Sequence, residues 1–579
     1  MAGVLPSPRV TIASVLLAVL GVTSGCAGPG DRPETSTPSS PEGPSGGPTA
    51  SPTASPAARL ATTLSDEDLV GQVLMPYAYG ASATQVSPGS AAGNQQLAGV
   101  DTPAEMIDRY RIGGLILVGF SADDPTGSNQ PTTNVDSTNQ VRELTTGLQD
   151  AAGRLPAAEL PDGVGKLPLL IGTDQEFGIV TRINQGVTLL PSAMAAGAAG
   201  QPELTEAAWR AAGTELAALG VNVDFAPVAD VLGVNSTVIG SRSYGADPDA
   251  AAGQVAAAVR GLQTAGVAAT LKHFPGHGHT AVDSHGDLPV LDQDRDALTT
   301  ADLPPFVAGI DAGAGLVMSG HLDVAAVDPG VAATFSRKVL TDLLRGELGF
   351  DGVVVTDGMN MAPARALSPG DAAVAAINAG NDLILMPADV TAAYEGLLAA
   401  LRDGSLPRAR LVQAVTRVLT LKQRLAEETT PPMTVLGAED HYAAARRLAA
   451  AAVTQVRGDC AGVDGPVTVT ASGGRERTRT LLIEELRDAG VEVVGQGGTV
   501  VHLVGYGDGP SDLNVDAAVT VAMDTPYLLA EARSATLLAT YSSSPASMSA
   551  LADVLRGAAP APGRLPVPVA GLPATSCTG

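Results

Sequence analysis

Short apolar runs rich in Val, Ile and Leu recur along the chain, separated by longer stretches in which apolar residues return with helical spacing. Runs apolar at successive positions suit strands buried on both faces, and their alternation with helical stretches marks parallel strands joined by crossover helices. Eight such runs begin near Val73, Gly114, Leu167, Val221, Ala268, Gly315, Gly352 and Leu383, with helices expected over Leu204–Leu219 and Ala250–Ala265 among others. The pattern predicts an α/β fold, a (β/α)8 TIM-type barrel over residues 60–430. Thr429-Thr430-Pro431-Pro432 cannot continue the preceding helix. Beyond it, residues 437–579 read as a smaller α/β layered domain. It opens on a helix from Glu439 to Ala452, then alternates strands expected near Val467, Val491, Val500, Ala517 and Ala535 with helices expected near Arg477 and Met548.

The first residues follow a different pattern. Arg9, an apolar run from Val10 to Val22 and small residues up to Cys26 read as an export signal. The run is shorter than the roughly 20 residues that span a bilayer. Thr23-Ser24-Gly25-Cys26 resembles a bacterial lipobox, with Thr23 where an aliphatic residue is usual; lipidation of Cys26 is expected, with ordinary cleavage and secretion as the alternative. Residues 27–59, mostly Ser, Pro, Thr, Gly and Ala, read as a flexible tether holding the folded part clear of a membrane surface. Cys460 and Cys577 then remain, either bridged by a disulfide in an oxidising compartment or two buried thiols.

Composition narrows the partners. The net charge of -26 and the absence of a Lys/Arg cluster argue against nucleic acid. Membrane association is expected only through the lipid, and the protein is expected to be a monomer.

In barrels of this kind the working residues project from the carboxyl ends of the strands. Thr173-Asp174-Gln175-Glu176 follows the third run, Lys272-His273 the fifth, His321 the sixth and Asp357 the seventh. Each alone could be a helix cap or a satisfied polar core group; together, four polar strand exits in an apolar sequence point to a site. Five of the seven histidines fall between positions 273 and 321. His273, His277, His279, His285 and Asp283 could be read as metal ligands, but Pro275, Gly276 and Gly278 force a loop and no zinc pattern is completed. As acid/base chemistry, the informative unit is Asp283-Ser284-His285. In an extended segment residues i and i+2 face the same way, so the carboxylate could orient the imidazole and favour its charged form. Such a histidine can protonate a leaving oxygen and later deprotonate water.

The run Lys272-His273-Phe274-Pro275-Gly276-His277-Gly278, followed by Asp283-Ser284-His285, resembles the signature of bacterial β-N-acetylglucosaminidases of glycoside hydrolase family 3. Asp174-Gln175-Glu176, Val223–Val228, Ile239–Ser243 and Val354–Asp357 agree in order. The resemblance implies a retaining enzyme acting on glycans that contain N-acetylglucosamine, such as cell-wall muropeptides, without cofactor or metal. It makes Asp357 the nucleophile, Asp283 with His285 the acid/base dyad, and Asp174, Arg182, Arg242, Lys272 and His273 the sugar-binding set. Phe177, where relatives often carry glycine, is expected to narrow the sugar pocket; Gly358 replaces a frequent second aspartate and leaves the nucleophile intact. A β-N-acetylglucosaminide phosphorylase is an alternative, since a neutral histidine would not repel phosphate. A non-catalytic wall-binding lipoprotein is another.

Overall fold

The computed structural model describes residues 55–120, 131–153, 167–233, 236, 238–280 and 282–577. The export signal with Cys26, and the tether up to residue 54, lie outside the described residues. Residues 56–59, expected in the tether, instead open a helix, Pro56–Thr63, that buries Ala57, Leu60 and Ala61. Ser55 caps it, accepting from the Ala58 N–H at 3.2 Å, and Pro56 fills the first turn. Here Ser-Pro is a helix start, not linker composition.

All eight expected barrel strands are present: β1 (Leu74–Met75), β2 (Gly114–Leu117), β3 (Leu170–Thr173), β4 (Val223–Asp224), β5 (Ala268–Phe274), β6 (Leu316–Ser319), β7 (Val353–Thr356) and β8 (Ile384–Leu385). β2 to β7 pair in parallel in chain order. β8 pairs in parallel with β1, Leu74 opposite Ile384. The Val355–Leu383 bridge joins β7 to β8, and the Gly113 N–H bonded to the Leu74 carbonyl at 3.0 Å joins β1 to β2, so the circuit closes. Alternation within the strands sorts the side chains. Met75, Ile116, Leu170, Val223, Leu316, Val353 and Val355 fill the barrel interior. Their neighbours Leu74, Leu115, Ile171, Leu271, Val317 and Val354 pack outward under the helices. Each fully buried side chain of this size contributes about 1.5–3 kcal/mol. Pro202–Ala218 and Pro248–Thr264, the helices expected at 204–219 and 250–265, lie in that outer ring.

The second domain begins with helix Glu439–Ala452. Its sheet contains β9 (Thr454–Arg457), β10 (Val467–Ala471), β11 (Thr499–Val504), β12 (Val519–Ala522) and β13 (Thr536–Ala539) in the order β9-β13-β12-β11-β10, with only β9 antiparallel. The expected strand near Val491 is a single bridge, Val493 to Val467, because the glycine-rich segment after it ends the pairing. β9 went unforeseen; its Thr-Gln-Val-Arg sequence is too polar and short to stand out. Cys460 and Cys577 are joined by a disulfide, with Cα atoms 5.9 Å apart. The exits of β11 and β13 turn toward the barrel mouth: Val504 and Tyr541 share an apolar cluster with Met194, Val228, Val238 and Ile239. Among the described residues no helix is long and apolar enough to cross a membrane.

Candidate active site

The carboxyl ends of the barrel strands enclose one pocket lined by Asp174, Glu176, Arg182, Arg242, Lys272, His273, His285 and Asp357. Seven of these were singled out from the sequence; Glu176 was seen at a strand exit but given no role. Two parts can be distinguished by their chemistry.

The first is a ladder of alternating charge. Arg182 Nη2 lies 3.8 Å from Asp174 Oδ2, and Asp174 Oδ1 accepts from Lys272 Nζ at 2.9 Å. Lys272 also meets Glu176 Oε1 at 2.6 Å. Glu176 in turn receives both Nε and Nη2 of Arg242, at 2.7 and 2.9 Å. Burial opposes ionisation of Glu176, but Arg242 and Lys272 outweigh it and hold the carboxyl well below its ordinary range. Burial likewise opposes the charge on Lys272, and Asp174 and Glu176 reverse the balance, raising its pKa. Beneath the ladder lies Asp224, whose Oδ1 accepts from the Gln175 N–H at 3.0 Å, while Oδ2 has no partner among the described residues. Burial drives this carboxyl well above its ordinary value.

The second part consists of histidines paired with carboxylates. His273 Nδ1 faces Asp230 Oδ2 at 2.8 Å, and Asp230 Oδ1 accepts from the backbone of His273 and His277 at 3.0 and 2.8 Å. Despite complete burial, Asp230 is held below its ordinary value, chiefly by His273. Its signal in the sequence was faint: it stands two residues beyond the Val223–Val228 segment and 43 before its partner. Asp283 reaches His285 through a turn and not through the extended segment expected. Its Oδ1 accepts both the His285 backbone N–H at 2.9 Å and Nδ1 at 2.6 Å, and its carbonyl accepts from Gly286 at 3.2 Å. An aspartate closing a turn on its own backbone fixes the ring as a by-product. With Nδ1 engaged, Nε2 is the nitrogen available to the pocket.

The loop bearing this dyad is fastened at both ends. At one end Gly233 N–H bonds the Gly278 carbonyl at 2.9 Å, and a β-carbon at position 278 would lie 1.9 Å from the Val231 carbonyl oxygen, so only glycine fits. At the other, Val290–Leu291 pairs in parallel with Asp323–Val324. Between them His277 Nε2 meets Ser284 Oγ at 3.1 Å; burial lowers the His277 pKa to about 4, so this ring is neutral near pH 7. The histidines considered as metal ligands are thus committed separately, His273 to Asp230, His279 to Asp302 at 2.8 Å and His285 to Asp283. Among the described residues none of the His, Cys, Asp and Glu side chains gather in threes to hold a metal.

Asp357 follows β7 and is locked by two neighbours: its N–H bonds the Ser319 carbonyl at 3.0 Å, and His321 Nε2 donates to the Gly358 carbonyl at 3.0 Å. Partial burial opposes its charge, yet His273, His321 and His285 lower its pKa to about 2, leaving a half-buried anion at the pocket wall. Phe177 does not narrow the pocket. It ends the first strand of the hairpin that Gln175–Phe177 forms with Val180–Thr181, adopts φ +65°, and buries its ring edge-on against Trp209, centroids 5.5 Å apart, outside the pocket lining.

Residues 69–421 match the glycosyl hydrolase family 3 N-terminal domain. The chain is 36% identical to β-hexosaminidase A of Pseudoalteromonas piscicida over 388 residues, 62% of this chain but only 61% of that relative's length. It is 39% identical to a β-hexosaminidase of Pseudomonas aeruginosa (strain LESB58), across 53% of this chain and 84% of the other. A solved family 3 β-N-acetylglucosaminidase from Paenibacillus sp. str. FPU-7 superposes with a TM-score of 0.73 at 32% identity, covering 89% of this chain and all of that one. With more than half of its length inside the matched domain, the chain belongs to glycosyl hydrolase family 3.

Proposed function

We propose that this family 3 glycoside hydrolase removes terminal β-linked N-acetylglucosamine by two displacements with retained configuration. The observation that carries the reading is a half-buried Asp357 carboxylate, held at a pKa of about 2, sharing one pocket with a histidine braced by a carboxylate. In the first step Asp357 forms a bond to the anomeric carbon as the glycosidic C–O bond breaks, and His285 Nε2 gives its proton to the departing oxygen. Asp283, kept below its ordinary pKa against burial by the backbone and ring of His285, stabilises the positive ring until transfer. In the second step neutral His285 takes a proton from water, whose oxygen displaces Asp357. Arg182, Asp174, Lys272, Arg242 and His273 hold the sugar hydroxyls and the N-acetyl group.

The likeness to β-hexosaminidases of 36% and 39% identity supports the choice of sugar. We take small glycosides and cell-wall-derived muropeptides as the substrates, met outside the cytoplasm by an enzyme anchored through lipid on Cys26. Protein lacking residues 1–54 should release 4-nitrophenol from its N-acetyl-β-D-glucosaminide without added phosphate, and Asp357→Ala should abolish this. Turnover that requires phosphate would make the enzyme a phosphorylase; absence of turnover in either condition overturns the proposal.

A further inference from the structure

The second domain meets the sugar-gripping ladder at one turn. Gly240–Arg242 forms a single helical turn at the barrel mouth, held by its own bonds from Arg242 N–H to Ile239 at 2.9 Å and from Ser243 N–H to Gly240 at 3.2 Å. On the barrel side, Arg242 grips Glu176, and Ser243 Oγ donates to the Asp230 carbonyl at 2.6 Å. On the opposite side, Ser241 Oγ donates to Asp524 Oδ1. Asp524 stands just past β12 and is buried, as are Ser241 and Arg242. The contact continues through the next residue, since a β-carbon at Gly240 would lie 3.4 Å from Thr525 Cγ2. The turn is therefore clamped between the two domains.

We propose that Asp524 is a positioning residue for substrate recognition, by which the second domain fixes the Arg242 guanidinium against Glu176 and so sets the affinity of the sugar pocket. The inference rests on the sugar-binding role proposed for Arg242. A buried carboxyl is costly unless its bonds are used, and nothing in the two displacements uses Asp524. Burial raises its pKa although the Ser241 hydroxyl and the Thr525 N–H oppose the shift. Asparagine at this position would keep the acceptor oxygen, whereas alanine would leave the Ser241 hydroxyl buried without it. Loss of the clamp should weaken ground state and transition state alike, because the role proposed for Arg242 is to hold the sugar and it takes no part in the bonds that change; that appears in KM and not in kcat.

The test compares Asp524→Ala, Asp524→Asn and Ser241→Ala with Asp508→Ala. Asp508 lies on the same edge of the second domain but is bound within it, to Arg475 at 3.0 Å, Ser472 at 2.5 Å and the Gly505 N–H at 2.6 Å. On the 4-nitrophenyl substrate, Asp524→Ala and Ser241→Ala should raise KM about tenfold with kcat changed less than about twofold, while Asp524→Asn keeps the wild-type KM. Asp508→Ala should lower the melting temperature and leave KM alone. Hydrogen exchange of the peptide spanning 238–243 should quicken in Asp524→Ala and not in Asp508→Ala, a readout independent of any substrate. Wild-type KM and exchange in Asp524→Ala, or equal changes in Asp508→Ala, would overturn the inference. An inactive wild type would remove the functional reading, and the exchange comparison would still decide whether the clamp exists.

Discussion

The charge ladder proposed to grip the sugar and the dyad proposed to move the proton differ in how their charges stand toward water. The side chains of Lys272, Glu176 and Arg242 are 3% exposed, whereas Asp283 is 46% and His285 22% exposed. The buried ladder rises from strand ends and the hairpin beside them, where each charge is neutralised by the next; the dyad rides a loop. Fixed recognition of a neutral sugar needs donors and acceptors that do not reorganise. Proton transfer needs a ring that changes charge and admits water, which complete burial would resist. The contrast teaches that preorganisation is distributed unevenly within a single site.

Removing His285 should cost most. His285→Ala is expected to lower kcat/KM by about 10²–10⁴-fold on methyl N-acetyl-β-D-glucosaminide and much less on the 4-nitrophenyl glycoside; equal losses in steady-state assays would remove His285 from the acid role. The comparison breaks next on stability. Lys272→Met, leaving two buried carboxylates without their shared cation, should cost about 3–5 kcal/mol in urea unfolding. Asp283→Asn should cost less than about 1 kcal/mol while impairing turnover. If both cost the same, burial does not distinguish the halves.

His277 sharpens the boundary between them. Its pKa of about 4 lies below the ordinary 6.5, so its contribution is complete above pH 6.5 and is lost as pH falls toward 4. Against His277→Gln, the wild type should lose up to about 3 kcal/mol more across that window at ~1.4 kcal/mol per pH unit; parallel stability profiles would contradict the assignment. The smallest effect concerns Asp224, whose raised pKa gives stability complete below 3.8 and lost as pH rises through the folded value. Asp224→Asn mimics the neutral acid and should raise the melting temperature by about 2 °C near pH 8; a lower one would show that the carboxyl is used ionised.

The barrel was legible because its strands are apolar on both faces and begin close to the expected positions, from Leu74 in β1 to Ile384 in β8. The charged residues at strand exits were legible for the complementary reason: Asp174, Lys272 and Asp357 interrupt sequences that are otherwise apolar. Asp230 escaped notice because its importance lies in three bonds to residues over 40 positions away. The Asp283–His285 contact was anticipated but its geometry was not, since a pair at i and i+2 can meet in a strand or across a turn. The Ser241–Asp524 contact spans 283 positions and joins two ordinary polar residues, which no local pattern marks.

The dyad loop, pinned near Gly278 and again at Val290–Leu291, carries Asp283 and His285 in the middle. Such a stretch is a replaceable part. Its length or its acid could change without shifting the strand register or unsettling the ion pairs beneath, so that the grip proposed for one sugar could be married to a different way of breaking the bond. Specificity and reactivity are thereby open to separate inheritance, and a loop exchange between fixed feet is the natural route by which either could diverge.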